Sequence, residues 1–150
     1  MPDLSELHLA VRKTLASNRL GQPVFVRYLW QSPEKIAVVP RLALMTAEVR
    51  DWLGQTLDKV YAVGTVASGQ VSLTLQFRGG ASALVSVARG QPHGDGVDLL
   101  VLGNHGALYH DAGHAVLGAE PDPYLSEVPD PALVAVIRRA LRSGKPEPVG

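Results

Sequence analysis

The sequence contains no cysteine. That excludes disulfides, thiolate-ligated zinc and a cysteine nucleophile. Neither sign of charge is in excess, because fourteen Lys and Arg stand against fourteen Asp and Glu. A neutral chain has no general attraction for a phosphate backbone, so no nucleic-acid partner is expected. The one basic group, Arg138, Arg139 and Arg142, fits the last turns of a helix, where positive charge complements the dipole. No apolar run approaches the ~18 residues that a membrane span needs. The opening "MPDLSELHLAVRK" lacks the basic start and apolar stretch of a signal peptide. The expectation is a cytoplasmic chain with no membrane partner.

The usual phosphate and nucleophile motifs are also missing. The nearest approach to G-x-G-x-x-G is "GDGVDL", 94–99. It has two of the three glycines and precedes a strand where the fingerprint should follow one. There is no G-x-x-x-x-G-K-[ST], and no serine sits in G-x-S-x-G. The carboxylate pairs Asp95/Asp98 and Glu120/Asp122 lie near loops, without the apolar surroundings that would raise one of their pKa values. No cofactor is expected from these residues.

What is present is a pattern for one domain over 1–150, a normal length for a single core. Asp3 and Glu6 make a capping box, and Leu4, Leu7, Val11 and Leu15 recur at helical spacing until Asn18–Gly21. "PVFVRYLW", 23–30, is rich in β-branched and aromatic residues and reads as a strand. "SPEK" reads as a turn. A helix is expected from Pro40, with Leu42, Met45, Val49, Trp52 and Leu53 on one stripe and Gly54 as its stop. "KVYAVGTVA", 59–67, is a further strand. In "VSLTLQF", Val71, Leu73, Leu75 and Phe77 alternate with Ser72, Thr74 and Gln76. Arg78-Gly79-Gly80 turns this strand back into "ASALVSVA". After a loop at 90–96, "VDLLVLG" is a strand, and "GALYH" and "HAVLG" form a hairpin around Asp111-Ala112-Gly113. Residues 119–129, with three prolines, read as irregular. Asp130 caps a last helix with Pro131 at its first position and Gly144 at its end.

Helix, strand, helix, a run of strands and a final helix predict an α+β fold: a largely antiparallel, mixed, open-faced sheet with about three helices on one face. The uncovered face would carry Ser72, Thr74, Gln76, Arg78, Ser82, Leu84 and Ser86. A wet sheet face is one reading. The interspersed Leu84 and Ala88 favour the other, a self-association surface that makes a dimer.

Three of the five histidines, His105, His110 and His114, fall within ten residues. They are the only metal candidates, and they stand around hairpin turns. Structural zinc takes four protein ligands and catalytic zinc about three, so the simpler reading is polar residues on a hairpin.

Five stretches, in order, resemble the Gfo/Idh/MocA family, the glucose–fructose oxidoreductase and inositol dehydrogenase relatives. They are "TLASNRLGQPVFVRYLW", "RDWLGQTLDKVYAV", "VSLTLQFRGGASALVSVA", "LLVLGNHGALYHD" and "VIRRALRSGKPEPV". Together they cover most of residues 10–150. In that family an N-terminal Rossmann domain binds NAD(P), and the C-terminal domain supplies the substrate pocket and the oligomer interface. The resemblance is to the C-terminal domain alone. It implies no Rossmann domain within these residues, which leaves room for a separate NAD(P)-binding partner chain. It also implies a proton-transfer His near position 44 or 45 and an Asp near 47. The sequence has Leu44, Met45 and Ala47 there, with Glu48 the nearest carboxylate and no His or Gly from Gln31 to Leu53. The resemblance therefore predicts an oxidoreductase-like domain without the family's catalytic residues. It would act in oligomer assembly or in ligand or partner binding.

Overall fold

The computed structural model describes residues 4–32, 36–90, 96–111 and 128–149. These form three helices and seven strands. The first helix, α1, spans Leu4–Ala16 and buries Leu7 and Val11. Asn18 and Gly21 then take left-handed backbone. Strand β1 is Pro23–Ser32, α2 is Val38–Leu53 and β2 is Leu57–Thr65. Strands β3, Gln70–Phe77, and β4, Ser82–Arg89, make the expected hairpin. Then come β5, Gly96–Gly103, β6, Ala107–Asp111, α3, Pro131–Ser143, and a two-residue strand β7, Glu147–Pro148.

Helix α2 starts two residues before the expected Pro40. Proline is tolerated in a first turn, whose N–H groups have no intrahelical acceptor, and Val38 and Val39 gain burial by joining it. Gly54 caps the other end in left-handed backbone. Helix α3 follows its sequence signals closely. The Asp130 side chain accepts from the Ala132 N–H, Pro131 opens the helix and Gly144 closes it. The capping box at Asp3 and the hairpin arm His114–Gly118 lie outside the described residues.

The seven strands form one mixed sheet in the order β6-β5-β1-β4-β3-β2-β7. Only β1 and β4 pair in parallel; every other neighbour pair is antiparallel. The α+β expectation holds, and β7 is an addition to it.

One face of the sheet is the core face. Val26, Tyr28 and Trp30 of β1 stand in register with Val101, Leu99 and Val97 of β5 and with Ala83, Val85 and Val87 of β4. All are buried, together with Val71, Leu73, Leu75 and Phe77 of β3. The helices cover this side with Leu42, Met45, Val49 and Leu53 of α2 and Leu133, Val136, Ile137 and Ala140 of α3. Burying this apolar area is the main source of the fold's stability. No described helix is long and apolar enough to cross a membrane.

Candidate functional site

Alternation along each strand sends every second side chain to the opposite, open face. Because paired strands align their side chains, the pairing builds that face row by row. The central row runs Tyr109, Leu100, Arg27, Leu84, Thr74 and Tyr61, from β6 to β2. One flanking row is Ala107, Leu102, Phe25, Ser82, Gln76 and Lys59. The other is Asp111, Asp98, Leu29, Ser86, Ser72 and Val63.

The face has two halves. Over β5 and β1 it is mainly apolar, from Phe25, Leu29, Leu100 and Leu102, with Leu84 of β4 beside them. Over β3 and the rest of β4 it is polar, from Ser72, Thr74, Gln76, Ser82 and Ser86. Large apolar groups stand out from it: Tyr109 is 56% exposed, Val63 55% and Leu102 41%. The polar half is quiet, with Ser72 and Ser86 hydroxyls hydrogen-bonded to each other at 3.0 Å.

Within the apolar half sits one charged network. Arg27 Nη2 lies 3.2 Å from Asp98 Oδ1, and the Tyr109 hydroxyl donates to Asp98 Oδ2 at 2.9 Å. Arg27 Nε is buried and has no hydrogen-bond acceptor among the described residues.

Six of the seven residues assigned to this face from the sequence are on it: Ser72, Thr74, Gln76, Ser82, Leu84 and Ser86. Arg78 lies just past β3, in the turn. Its N–H donates to the Thr56 carbonyl at 2.9 Å, and its side chain pairs with Asp58 at 3.6 Å. The sequence reading overlooked Phe25, Arg27, Leu29 and Leu100. The available signal was the lone Arg27 inside the apolar run "PVFVRYLW".

The histidines part company. His105 is in the β5–β6 turn, where its N–H donates to the Leu20 carbonyl at 2.9 Å. Asn104 backs this with its N–H to the Gln22 carbonyl and its side-chain oxygen to the Gln22 N–H at 2.8 Å. The turn is thereby tied to the chain entering β1. His110 is on β6, opposite Leu99, and so on the core side of the sheet. His114 lies outside the described residues. Among the described residues no group of three His, Cys, Asp or Glu side chains is placed to hold a metal ion.

Beneath the helices, α2 shows what occupies the positions where the resemblance implies a proton-transfer pair. Leu44 and Met45 are both buried in the core. Glu48 Oε2 meets His8 Nε2 of α1, and the Tyr28 hydroxyl lies 3.4 Å from the same oxygen. The Trp52 ring closes this cluster, edge-on to His8 at 5.7 Å and tilted to Tyr28 at 5.5 Å. The cluster joins α1, α2 and β1.

No protein-family model and no curated protein sequence matches the chain. Solved structures do. The myo-inositol 2-dehydrogenase of Lactobacillus plantarum aligns at 10% identity with a TM-score of 0.71, over 95% of this chain and 61% of its own. The WlbA dehydrogenase of Bordetella pertussis, in complex with NADH and UDP-GlcNAcA, aligns at 18% identity and TM-score 0.70, over 95% and 60%. The scyllo-inositol dehydrogenase of Lactobacillus casei, with bound NAD(H) and scyllo-inositol, aligns at 16% and 0.58, over 69% and 38%. The fold is thus one found in inositol and related dehydrogenases, as the five motifs led us to expect. The chain spans between about two-fifths and three-fifths of the length of those proteins.

Proposed function

We propose that this chain is a non-catalytic, dehydrogenase-like assembly module that pairs with a second copy of itself through the open sheet face. The observation that carries the reading is the composition of that face. Phe25, Leu29, Leu84, Leu100 and Leu102 form a contiguous apolar patch on a surface that no described helix covers. Patches of this kind mark association sites. The non-catalytic half rests on α2. A general acid or base must reach its substrate, and Leu44 and Met45 place buried hydrocarbon where the resemblance implies a histidine.

Leu84→Asp puts a charge in the centre of the patch and is expected to abolish self-association while leaving the circular dichroism spectrum unchanged. An unaltered association state would refute the assembly reading. Titration with NADH, followed by its fluorescence, is expected to show no saturable binding. Saturation at micromolar nucleotide would refute the non-catalytic one.

A second reading has one specific support. Nearly the whole chain superposes on structures that contain a further third or more of sequence. On that reading the domain completes a substrate site for a separate Rossmann-type chain that carries NAD(P). Co-purification of such a chain with this one would favour it over self-assembly.

A further inference from the structure

We propose that Arg27 is the specificity-determining residue of the open face, fixing the one register in which a second copy of the chain docks. The inference rests on the assembly reading above and goes one step beyond it, to what selects the geometry of pairing.

Arg27 stands in the middle of hydrocarbon. Phe25 and Leu29 flank it along β1, and Leu84 and Leu100 flank it across the sheet. A leucine-rich surface alone would pair with itself in many offsets, because the hydrophobic effect has no direction. A guanidinium at its centre removes that freedom. Any docking covers it, and covering a charge is costly unless it keeps its hydrogen bonds. Asp98 already holds one edge, and Tyr109 holds Asp98. Nε is sealed inside the chain, so the stem is fixed and the remaining guanidinium edge points in a set direction. With 37% of the side chain exposed, that edge needs an acceptor from whatever covers it. In one register the partner supplies one. One residue pair along the strand, or one strand across, it presents Leu or Phe instead, and the charge is left unmet. A single buried polar group that sets register at some cost in stability is the best-attested use of such groups.

Two features select a second copy as the occupant. The first is charge. Arg27 and Asp98 cancel, and so do the two other charges in the three rows, Lys59 at the β2 margin and Asp111 at the β6 margin, in register with Asp98. A two-fold pairing sets a face against itself, which a neutral face permits and a charged one opposes. The second is size. Six strands at ~4.8 Å spacing and ~3.3 Å per residue give a face on the order of 600 Å² in plan. That approaches the ~800 Å² per partner of an ordinary stable interface.

The absence of native cysteine supplies the test. Single cysteines are placed in turn at Ser72, Thr74, Gln76 and Ser82, and disulfide-linked dimers are measured by mass under mild oxidation. The expected result is one position cross-linking about tenfold more than the others, a preference of about 1.4 kcal/mol for one contact geometry. The same panel is then made in the R27M/D98L background, where association persists and the cross-links spread over the positions. If that double variant fails to fold, Arg27→Lys is used; it keeps the charge and loses the planar fork, and the preference is expected to weaken. An undiminished preference in the altered background would overturn the role of Arg27 and leave assembly standing. No cross-linking at any position, with a monomeric parent, would overturn the assembly reading itself.

Discussion

The guanidinium of Arg41 lies 4.4 Å from the centre of the Trp30 ring, and both side chains are buried. Arg41 is in the first turns of α2 and Trp30 near the end of β1, so this contact pins the helix to the sheet's core face. A desolvated cation over an indole contributes about 1–2 kcal/mol, and a lysine cannot reproduce the stacked plane. Arg41→Lys is expected to lower unfolding free energy by about that much. Urea titration followed by tryptophan emission measures it, and an unchanged midpoint would show that the stacking contributes nothing.

His8 and Glu48 tie α1 to α2, with Tyr28 sharing the same carboxylate oxygen. Truncating His8 leaves a mostly buried carboxylate with one partner fewer. Such losses run to about 1–3 kcal/mol. His8→Ala is expected to fall in that range, with amide exchange in α1 rising more than in α3. Equal protection of both helices would contradict the linking role.

Two glycines, Gly103 at the end of β5 and Gly106 in the β5–β6 turn, should respond unequally to the same change. A Cβ on Gly103 would stand 2.1 Å from the Leu20 carbonyl oxygen, a main-chain atom. A Cβ on Gly106 meets nothing closer than 3.7 Å. Gly103→Ala is expected to cost about 2–3 kcal/mol, as overpacking against fixed backbone does. Gly106→Ala is expected to stay within about 0.5 kcal/mol. Paired thermal melts decide it, and similar shifts for both would mean that the turn is not held against Leu20.

Asp130 caps α3 through the Ala132 N–H and also lies 3.7 Å from Arg50 of α2. Asp130→Ala is expected to cost about 1 kcal/mol, and Asp130→Ser, which keeps a capping oxygen, only a few tenths. The ion pair is part-exposed and adds little. A serine variant as unstable as the alanine one would assign the effect to Arg50 instead.

The parts of the fold that were legible in the sequence are those with a local cause. The faultless alternation of β3 and the cap, proline and glycine of α3 each name their element without help from the rest of the chain. Much of the open face was legible for the same reason, since Ser72, Thr74, Gln76, Ser82, Leu84 and Ser86 belong to one hairpin. Its apolar half, apart from Leu84, was not. In β1 the residues of both faces are apolar: Val26, Tyr28 and Trp30 on the core side, Phe25 and Leu29 on the other. Period-two alternation is then invisible, and only pairing with β4 and β5 assigns Arg27 its side. The parallel β1–β4 contact is set by tertiary packing, as is β7, whose two residues pair with Lys59 and Val60. His105, His110 and His114 looked like a cluster because they are close in sequence. The turn and strand put His105 against Leu20 and His110 on the core side opposite Leu99.

Self-assembly through the open face is decided by the native mass across a dilution series, read by light scattering on the eluting protein. Pairing through that face predicts twice the chain mass for the wild type, falling to the single-chain mass for Leu100→Asp, with both proteins equally helical. A wild type that stays at the single-chain mass at every concentration would contradict it.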